Sequence, residues 1–172
     1  LLVQYILNII NNSKPNLTIN LPNKITITKS YNNVYFNTIN TNNNNKNYKI
    51  LLKDYNIIPP NHIIKKIKDT TYNGNDICKI NSKNINLPLY IRNKKNGDYI
   101  YQLGLNGRKK VKEIFIENKI PLNQRDNYPI VVDALDNIIW IPNLKKSKFN
   151  SKKDEFYDII LKYCEKEENN EQ

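Results

Sequence analysis

The chain has 172 residues, enough for one ordinary domain or a small domain with an appendage, and its hydrophobic fraction of 39% points to a modest core under a polar surface rich in Asn and Lys. No run approaches the roughly 18 apolar residues of a membrane-spanning helix. The two cysteines, Cys78 and Cys164, lie outside any paired-ligand spacing, so they read as reduced cytosolic thiols rather than a disulfide or metal framework. A formal net charge of +11, from 27 Lys and Arg against 16 Asp and Glu, favours a polyanionic partner.

The sequence opens on Leu1 and contains no Met, and its first residues carry neither a basic stretch nor a small-residue cleavage site, so a fragment without a signal peptide is expected. Residues 1–10 are apolar at almost every position and end at Asn11, Asn12, Ser13 and Pro15, which predicts the last turns of a helix. Leu17, Ile19 and Leu21 alternate, as do Ile25 and Ile27, and Val34 to Phe36 follows a Tyr31-Asn32-Asn33 turn; together they predict a small β-meander. An Asn-rich loop over 40–47 comes next. Tyr48 to Leu52, Ile63 to Ile67, Ile77 to Ile80 and Leu87 to Ile91 are short strand candidates, separated by Pro59, Pro60, Asn73 and Gly74. Val111, Ile114 and Phe115 recur at helical spacing, predicting one principal helix from about Arg108 to Asn118, stopped by Pro121. Pro129 opens a strand through Val132, Asp136 and Asn137 turn the chain, and Ile138 to Ile141 returns. Phe156 to Tyr163 fits strand or helix by periodicity, and its Phe, Tyr and Ile favour strand. The fold class expected is α+β: a small, mainly antiparallel sheet or partial barrel with that helix packed on it.

Charge is unevenly placed. Residues 1–82 carry ten bases and three acids, 83–153 carry fifteen and six, and 154–172 carry two and seven, so the basic footprint is internal and the tail acidic. No Gly-rich loop follows a buried strand, and the segment Gly104-Leu105-Asn106-Gly107 is the nearest approach to an anion nest. A single histidine, His62, gives little support to nucleophile chemistry and reads as a surface residue beside Pro60.

The stretch from Leu87 to Phe149 is dense in motif: L-P-L-Y-I-R-N-K-K-N-G-D-Y-I, then L-G-L-N-G-R-K-K-V-K-E-I-F-I-E-N-K-I-P, R-D-N-Y-P-I-V-V-D and I-I-W-I-P-N-L-K-K-S-K-F. It resembles, nearly end to end, the C-terminal domain of tRNA(Ile)-lysidine synthetase. That pattern is matched by Arg92 before the Gly97-Asp98 turn, Gly107 with Lys109 and Lys110, Ile120-Pro121, Arg125-Asp126, and Trp140 with Pro142, Lys145 and Lys146. The upstream L-P-N-K-I-T-I-T-K-S-Y-N-N-V-Y-F is similar to the stretch after that enzyme's helical middle domain. Two positions depart from the pattern, Lys24 and Asn143, each standing where Gly is usual. Asn tolerates the left-handed backbone such a Gly would supply.

The resemblance implies an enzyme that adenylates the wobble cytidine of an isoleucine tRNA with ATP, and with magnesium, and joins lysine to it in the cytoplasm. Its Ser-Gly-Gly-x-Asp-Ser loop is nowhere in these residues, so no catalytic residue, cofactor or metal site is expected in this chain. ATP and Mg would belong to an N-terminal catalytic domain. The resemblance also divides the chain into the end of a helical middle domain (1–12), a β-rich connection (13–82), the C-terminal domain (83–163) and an acidic, disordered tail (164–172). The partners expected are tRNA(Ile) and the enzyme's own catalytic domain, with no membrane, and a homodimer left open.

The candidate tRNA contacts are Arg92, Arg108, Lys109, Lys110, Lys112, Arg125, Lys145, Lys146 and Lys148. Arg108, Lys109, Lys110 and Lys112 would gather four cations at one helix start, against the preference of the helix dipole and therefore suggestive of an anion partner. Arg92 with Asp98, and Arg125 with Asp126, fit an ion pair as well as an RNA contact. Lys145, Lys146 and Lys148 would flank a strand exit in a solvated loop. Trp140 suits core packing or base stacking, and the alternation of Tyr90, Tyr99 and Tyr101 with Ile91 and Ile100 suggests sheet faces rather than stacking. Two other readings compete: a stand-alone RNA-binding module, and a structural domain that docks on a catalytic half.

Overall fold

The structure of the chain, a computed structural model, describes residues 2–38 and 47–166. The Asn-rich segment lies outside the described residues except for Asn47, as does the acidic tail beyond Lys166. The chain separates into two compact units, one of residues 1–46 with 119–126 and the other of 47–118 with 127–172.

In the first unit the apolar opening run forms α1 (Leu2–Ile10), whose Ile9 is fully buried while Leu2, Val3, Leu7 and Ile10 stay at least half exposed. Lys29 Nζ caps the end of this helix, 3.2 Å from the carbonyl of Ile10 and 2.6 Å from that of Asn12. A cation there satisfies orphan carbonyls and suits the negative end of the helix dipole. The predicted meander follows as β1 (Asn16–Leu21), β2 (Ile25–Ser30) and β3 (Asn33–Thr38), antiparallel and in that order, with Ile27 buried on the middle strand. Its first turn bends without glycine: Asn23 and Lys24 have φ of 63° and 59°. The left-handed bend persists there, at a cost of roughly 1–2 kcal/mol per residue. A one-turn helix, Leu122–Arg125, completes the unit, with Leu122 N donating to Ser30 Oγ at 3.4 Å.

The second unit begins with β4 (Lys49–Leu51), β5 (Tyr55–Ile58), β6 (His62–Lys66) and β7 (Ile77–Ile80), then β8 (Tyr90–Arg92), β9 (Tyr99–Tyr101) and β10 (Arg108–Lys110). After α2 (Val111–Glu117) come β11 (Ile130–Val132), β12 (Ile138–Ile141), β13 (Lys145–Lys146) and β14 (Ile159–Glu165). They pair into open antiparallel sheets ordered β13-β12-β11-β8-β4 and β5-β6-β14-β7, with β9 and β10 as a separate ribbon. The class is α+β, and no sheet of the described residues closes into a barrel. Because β14 lies between β6 and β7, residues 55–80 share a sheet with residues 159–165.

Apolar residues of the two larger sheets meet in one core, in which Ile64, Leu161 and Tyr163 join Ile91, Val131 and Ile139. Burying each such side chain contributes roughly 1.5–3 kcal/mol. Trp140 is fully buried there and its indole N–H donates to Asn75 O at 3.0 Å, so it is a core residue and not a stacking platform. His62, expected at the surface, is buried as well. Alternation along β6 turns it inward with Ile64, and its Nδ1 lies 2.8 Å from the Tyr163 hydroxyl. Burial pushes its pKa down, with the nearby Glu165 opposing.

The β11–β12 connection is held by Asp133, which is fully buried. Its Oδ1 accepts from the backbone N–H of Leu135 and Asn137 at 3.0 and 2.9 Å, and its Oδ2 accepts from the backbone and side chain of Asn86 at 3.2 and 3.0 Å. Burial alone would raise this carboxyl; the hydrogen bonds from Asn86 and Asn137 outweigh it and hold the pKa below the ordinary carboxylate value. A depressed folded pKa gives stabilisation that is complete above the unfolded value, about 4, and lost as pH falls through the folded value. Urea midpoints should therefore fall on acidification below pH about 4. Asp133→Asn should lower the midpoint at neutral pH and flatten that acid limb.

Candidate nucleic-acid interface

Exposed cations and aromatics are gathered on the ribbon of β9 and β10. Its register pairs Arg108 with Tyr101, Lys109 with Ile100 and Lys110 with Tyr99. Strand alternation then separates two faces. Ile100 is buried, and Lys109 on the same side forms an ion pair with Glu117. Tyr99 and Tyr101, each 39% exposed, share the other face with the exposed Arg108 and Lys110. The Arg108 guanidinium carbon lies 4.6 Å from the centre of the Tyr99 ring, and Lys148 Nζ lies 4.5 Å from that of Tyr101. Among the described residues, neither Arg108, Lys110, Lys112 nor Lys148 forms an ion pair.

What aims this ribbon is Arg92 on β8, 1% exposed. Its Nη1 and Nη2 donate to the two oxygens of Asp98 at 2.8 and 3.0 Å, and its Nε donates to Asp136 at 2.9 Å. Asp98 also accepts from Lys95 N at 2.7 Å, and its carbonyl accepts from Val111 N at 3.0 Å. The turn that launches β9 and the residue that opens α2 are thus tied to one guanidinium. Burial would push the Asp136 carboxyl up, but hydrogen bonding and charge from Arg92 and Lys95 hold it down.

Only part of the sequence-predicted set comes together here. Arg108 to Lys110 form a strand, not the first turns of the helix. α2 starts at Val111 with Lys110 in extended conformation, so only Lys112 of the four is helical. The physical reason is the pairing with β9, a non-local contact that helical spacing cannot register. Arg92 is enclosed by its two carboxylates. Arg125, 8% exposed, donates to Ile120 O at 2.7 Å and the Tyr31 hydroxyl at 3.0 Å, so it braces the first unit. Lys145 and Lys146 form β13 against β12 instead of a loop, both half-buried, and Lys146 Nζ donates to Asn73 Oδ1 at 2.8 Å. Lys148 faces solvent. Tyr99 and Tyr101 were legible as alternation, but which face points outward is decided by Ile100 packing inward.

Gly104 and Gly107 lead into a strand rather than a helix, and no group of three or more His, Cys, Asp or Glu among the described residues could hold a metal. No described helix is long and apolar enough to cross a membrane.

Fold and surface together define a small α+β module of open antiparallel sheets carrying a basic, aromatic ribbon. The family model "TilS substrate C-terminal domain" matches residues 89–159. A solved structure, the crystal structure of a TilS C-terminal domain, superposes with a TM-score of 0.66 at 35% identity, covering 72% of this chain and all of that one. The tRNA(Ile)-lysidine synthase of Bacillus licheniformis is 36% identical over 154 residues, 86% of this chain and 32% of the relative. That of Bacillus subtilis is 55% identical over 76 residues, 44% of this chain and 16% of the relative. The chain belongs to the C-terminal domain family of tRNA(Ile)-lysidine synthase, and it spans about a third or less of the length of these curated relatives.

Removing the guanidinium strands two carboxylates around a buried position. Arg92→Ala should cost about 3–5 kcal/mol. Arg92→Lys should recover only part of it, because an ammonium cannot serve both carboxylates in Arg's forked geometry. Urea denaturation of the three proteins measures both differences.

Proposed function

We propose that this chain is the tRNA-gripping part of a tRNA(Ile)-lysidine synthase: it holds an isoleucine tRNA, while adenylation of the wobble cytidine and its ligation to lysine, with ATP and Mg, take place in a catalytic domain outside these residues. The observation that carries the reading is the solvent-facing side of β9–β10. There Arg108 and Lys110, with Lys148 beside them, form no ion pair among the described residues. Clustered cations held on a rigid ribbon repel one another unless an anion compensates, and phosphate oxygens are the anions such a surface suits. The name of the relative, tRNA(Ile)-lysidine synthase, supports an isoleucine tRNA as that RNA. Glu113 is the acidic neighbour, lining the same shallow concavity as Arg108 and Lys110.

The competing reading, a structural domain that only docks on a catalytic half, predicts indifference to tRNA at low salt. Replacing Arg108, Lys110 and Lys148 together by Ala should weaken binding of isoleucine tRNA and reduce the slope of log K against log salt by roughly 2 units, at 0.7–0.9 per phosphate contact. A control replacing Lys65, Lys66 and Lys68 should leave the slope near that of the parent chain. Equal slopes and affinities in the two triple variants would remove the ribbon as the contact. Incubated with ATP, lysine and tRNA, the chain alone should form no lysidine; mass spectrometry of nucleosides from the digested tRNA checks this.

A further inference from the structure

Phosphate contact explains cations, but it does not explain why two tyrosines are left open among them. On a ribbon with one packed face, Ile100 satisfies the inward side, and the outward positions need only be polar. Here they are Tyr99 and Tyr101, their ring centres 5.5 Å apart and their planes at 88°. Tyr99 borders two concavities. One, of about 310 Å³, is lined by Gly97, Arg108, Lys110 and Glu113; the other, of about 370 Å³, is lined by Tyr101, Phe149, Leu135 and Ile138 with Asp98 and Asp136, the two carboxylates paired with Arg92. Leu135, 70% exposed, gives the second an apolar lip. Beyond Phe149 a third concavity, of about 510 Å³, reaches Phe156, itself 66% exposed. Aromatics and cations therefore neighbour one another along one track, Arg108 against Tyr99, Tyr99 against Tyr101, and Lys148 between Tyr101 and Phe149, with Lys110 beside Arg108 and Tyr99.

We infer that this track binds unpaired nucleotides of RNA, with bases stacked on Tyr99 and Tyr101 and the adjoining phosphates held by Arg108, Lys110 and Lys148. Single-stranded nucleic acid is bound in this manner, by base faces on aromatic rings or guanidinium planes and a basic groove along the backbone. A duplex offers its base edges and keeps its faces covered, so it has no use for an exposed ring. The perpendicular setting of the rings likewise suits splayed bases rather than a continuous stack. Gly97, at φ +85° with nothing within 4 Å of the position a Cβ would take, leaves the backbone open beside Tyr99. The inference rests on the RNA-contact reading above and adds to it which kind of RNA the site takes.

The test measures, for the chain and its variants, affinities for a single-stranded oligoribonucleotide of about ten nucleotides and for an RNA duplex of equal length. The parent chain should prefer the single strand. Tyr99→Leu with Tyr101→Leu should weaken the single strand at least about tenfold, with an unchanged salt slope and duplex affinity within about twofold. Tyr99→Phe with Tyr101→Phe, which keeps both rings, should bind like the parent, and crosslinking of a 4-thiouridine oligonucleotide to the parent should map to the peptide holding Tyr99 and Tyr101. Single-strand affinity unaffected by the Leu pair, preference for the duplex, or crosslinks elsewhere would overturn the inference. Loss of tRNA affinity in the Arg108, Lys110 and Lys148 variant would, in that event, leave the tRNA-gripping reading standing. Were that variant also to bind tRNA like the parent, both would fall.

Discussion

The guanidinium of Arg92, locked between the carboxylates of Asp98 and Asp136, is the contact on which the rest of the second unit turns. Burying a cation so completely is unfavourable unless it is paired and every donor is used, and here the guanidinium also donates to the carbonyl of Asn93 at 2.9 Å. What the clamp supplies is geometry. Asp98 sits one residue before β9, and Asp136 lies in the turn between β11 and β12, so one side chain on β8 fixes both walls of the groove beside Tyr99 and Tyr101. Asp133 holds the same β11–β12 turn by its backbone N–H groups, so the wall is braced from two sides.

With the ribbon fixed, its two faces divide the labour by strand alternation alone. Ile100 turns inward, and Lys109 on its side is neutralised by Glu117 at the far end of α2. Tyr99, Tyr101, Arg108 and Lys110 are left on the outward side, where Arg108 lies against Tyr99 and Lys148 against Tyr101. Cation–π contacts of this kind are worth about 0.5–1 kcal/mol at exposed sites. They hold the rings and charges in place before any ligand arrives, which reduces the side-chain ordering that binding would otherwise require.

Much of the fold was legible because its signals are local. The alternation of Leu17, Ile19 and Leu21 and of Ile25 and Ile27 specified the meander, and Val111, Ile114 and Phe115 specified the buried face of α2. What could not be read depended on partners remote in sequence. Arg108 to Lys110 look like a helix start beside that apolar spacing, yet the register with β9 draws them into a strand. His62 is buried because β14, about a hundred residues on, lies across it. Lys146 loses its loop to β12, and its ammonium is held by a hydrogen bond to Asn73. The short strand Tyr55–Ile58 escaped notice, closed as it is by Pro59 and Pro60. The candidate site was half legible: basic residues announced it, but burial removed Arg92 and Arg125 from the accessible set, and only packing showed that Tyr99 and Tyr101 face outward.

The central claim is that the β9–β10 ribbon is the face that meets tRNA. Hydrogen–deuterium exchange of the chain with and without isoleucine tRNA tests it without altering any residue. Protection gathered in peptides spanning 95–112 and 145–149, with α1 and the β1–β3 meander unchanged, is the result this account predicts. Unchanged exchange in those two segments under saturating tRNA, with protection confined to other surfaces, would contradict it.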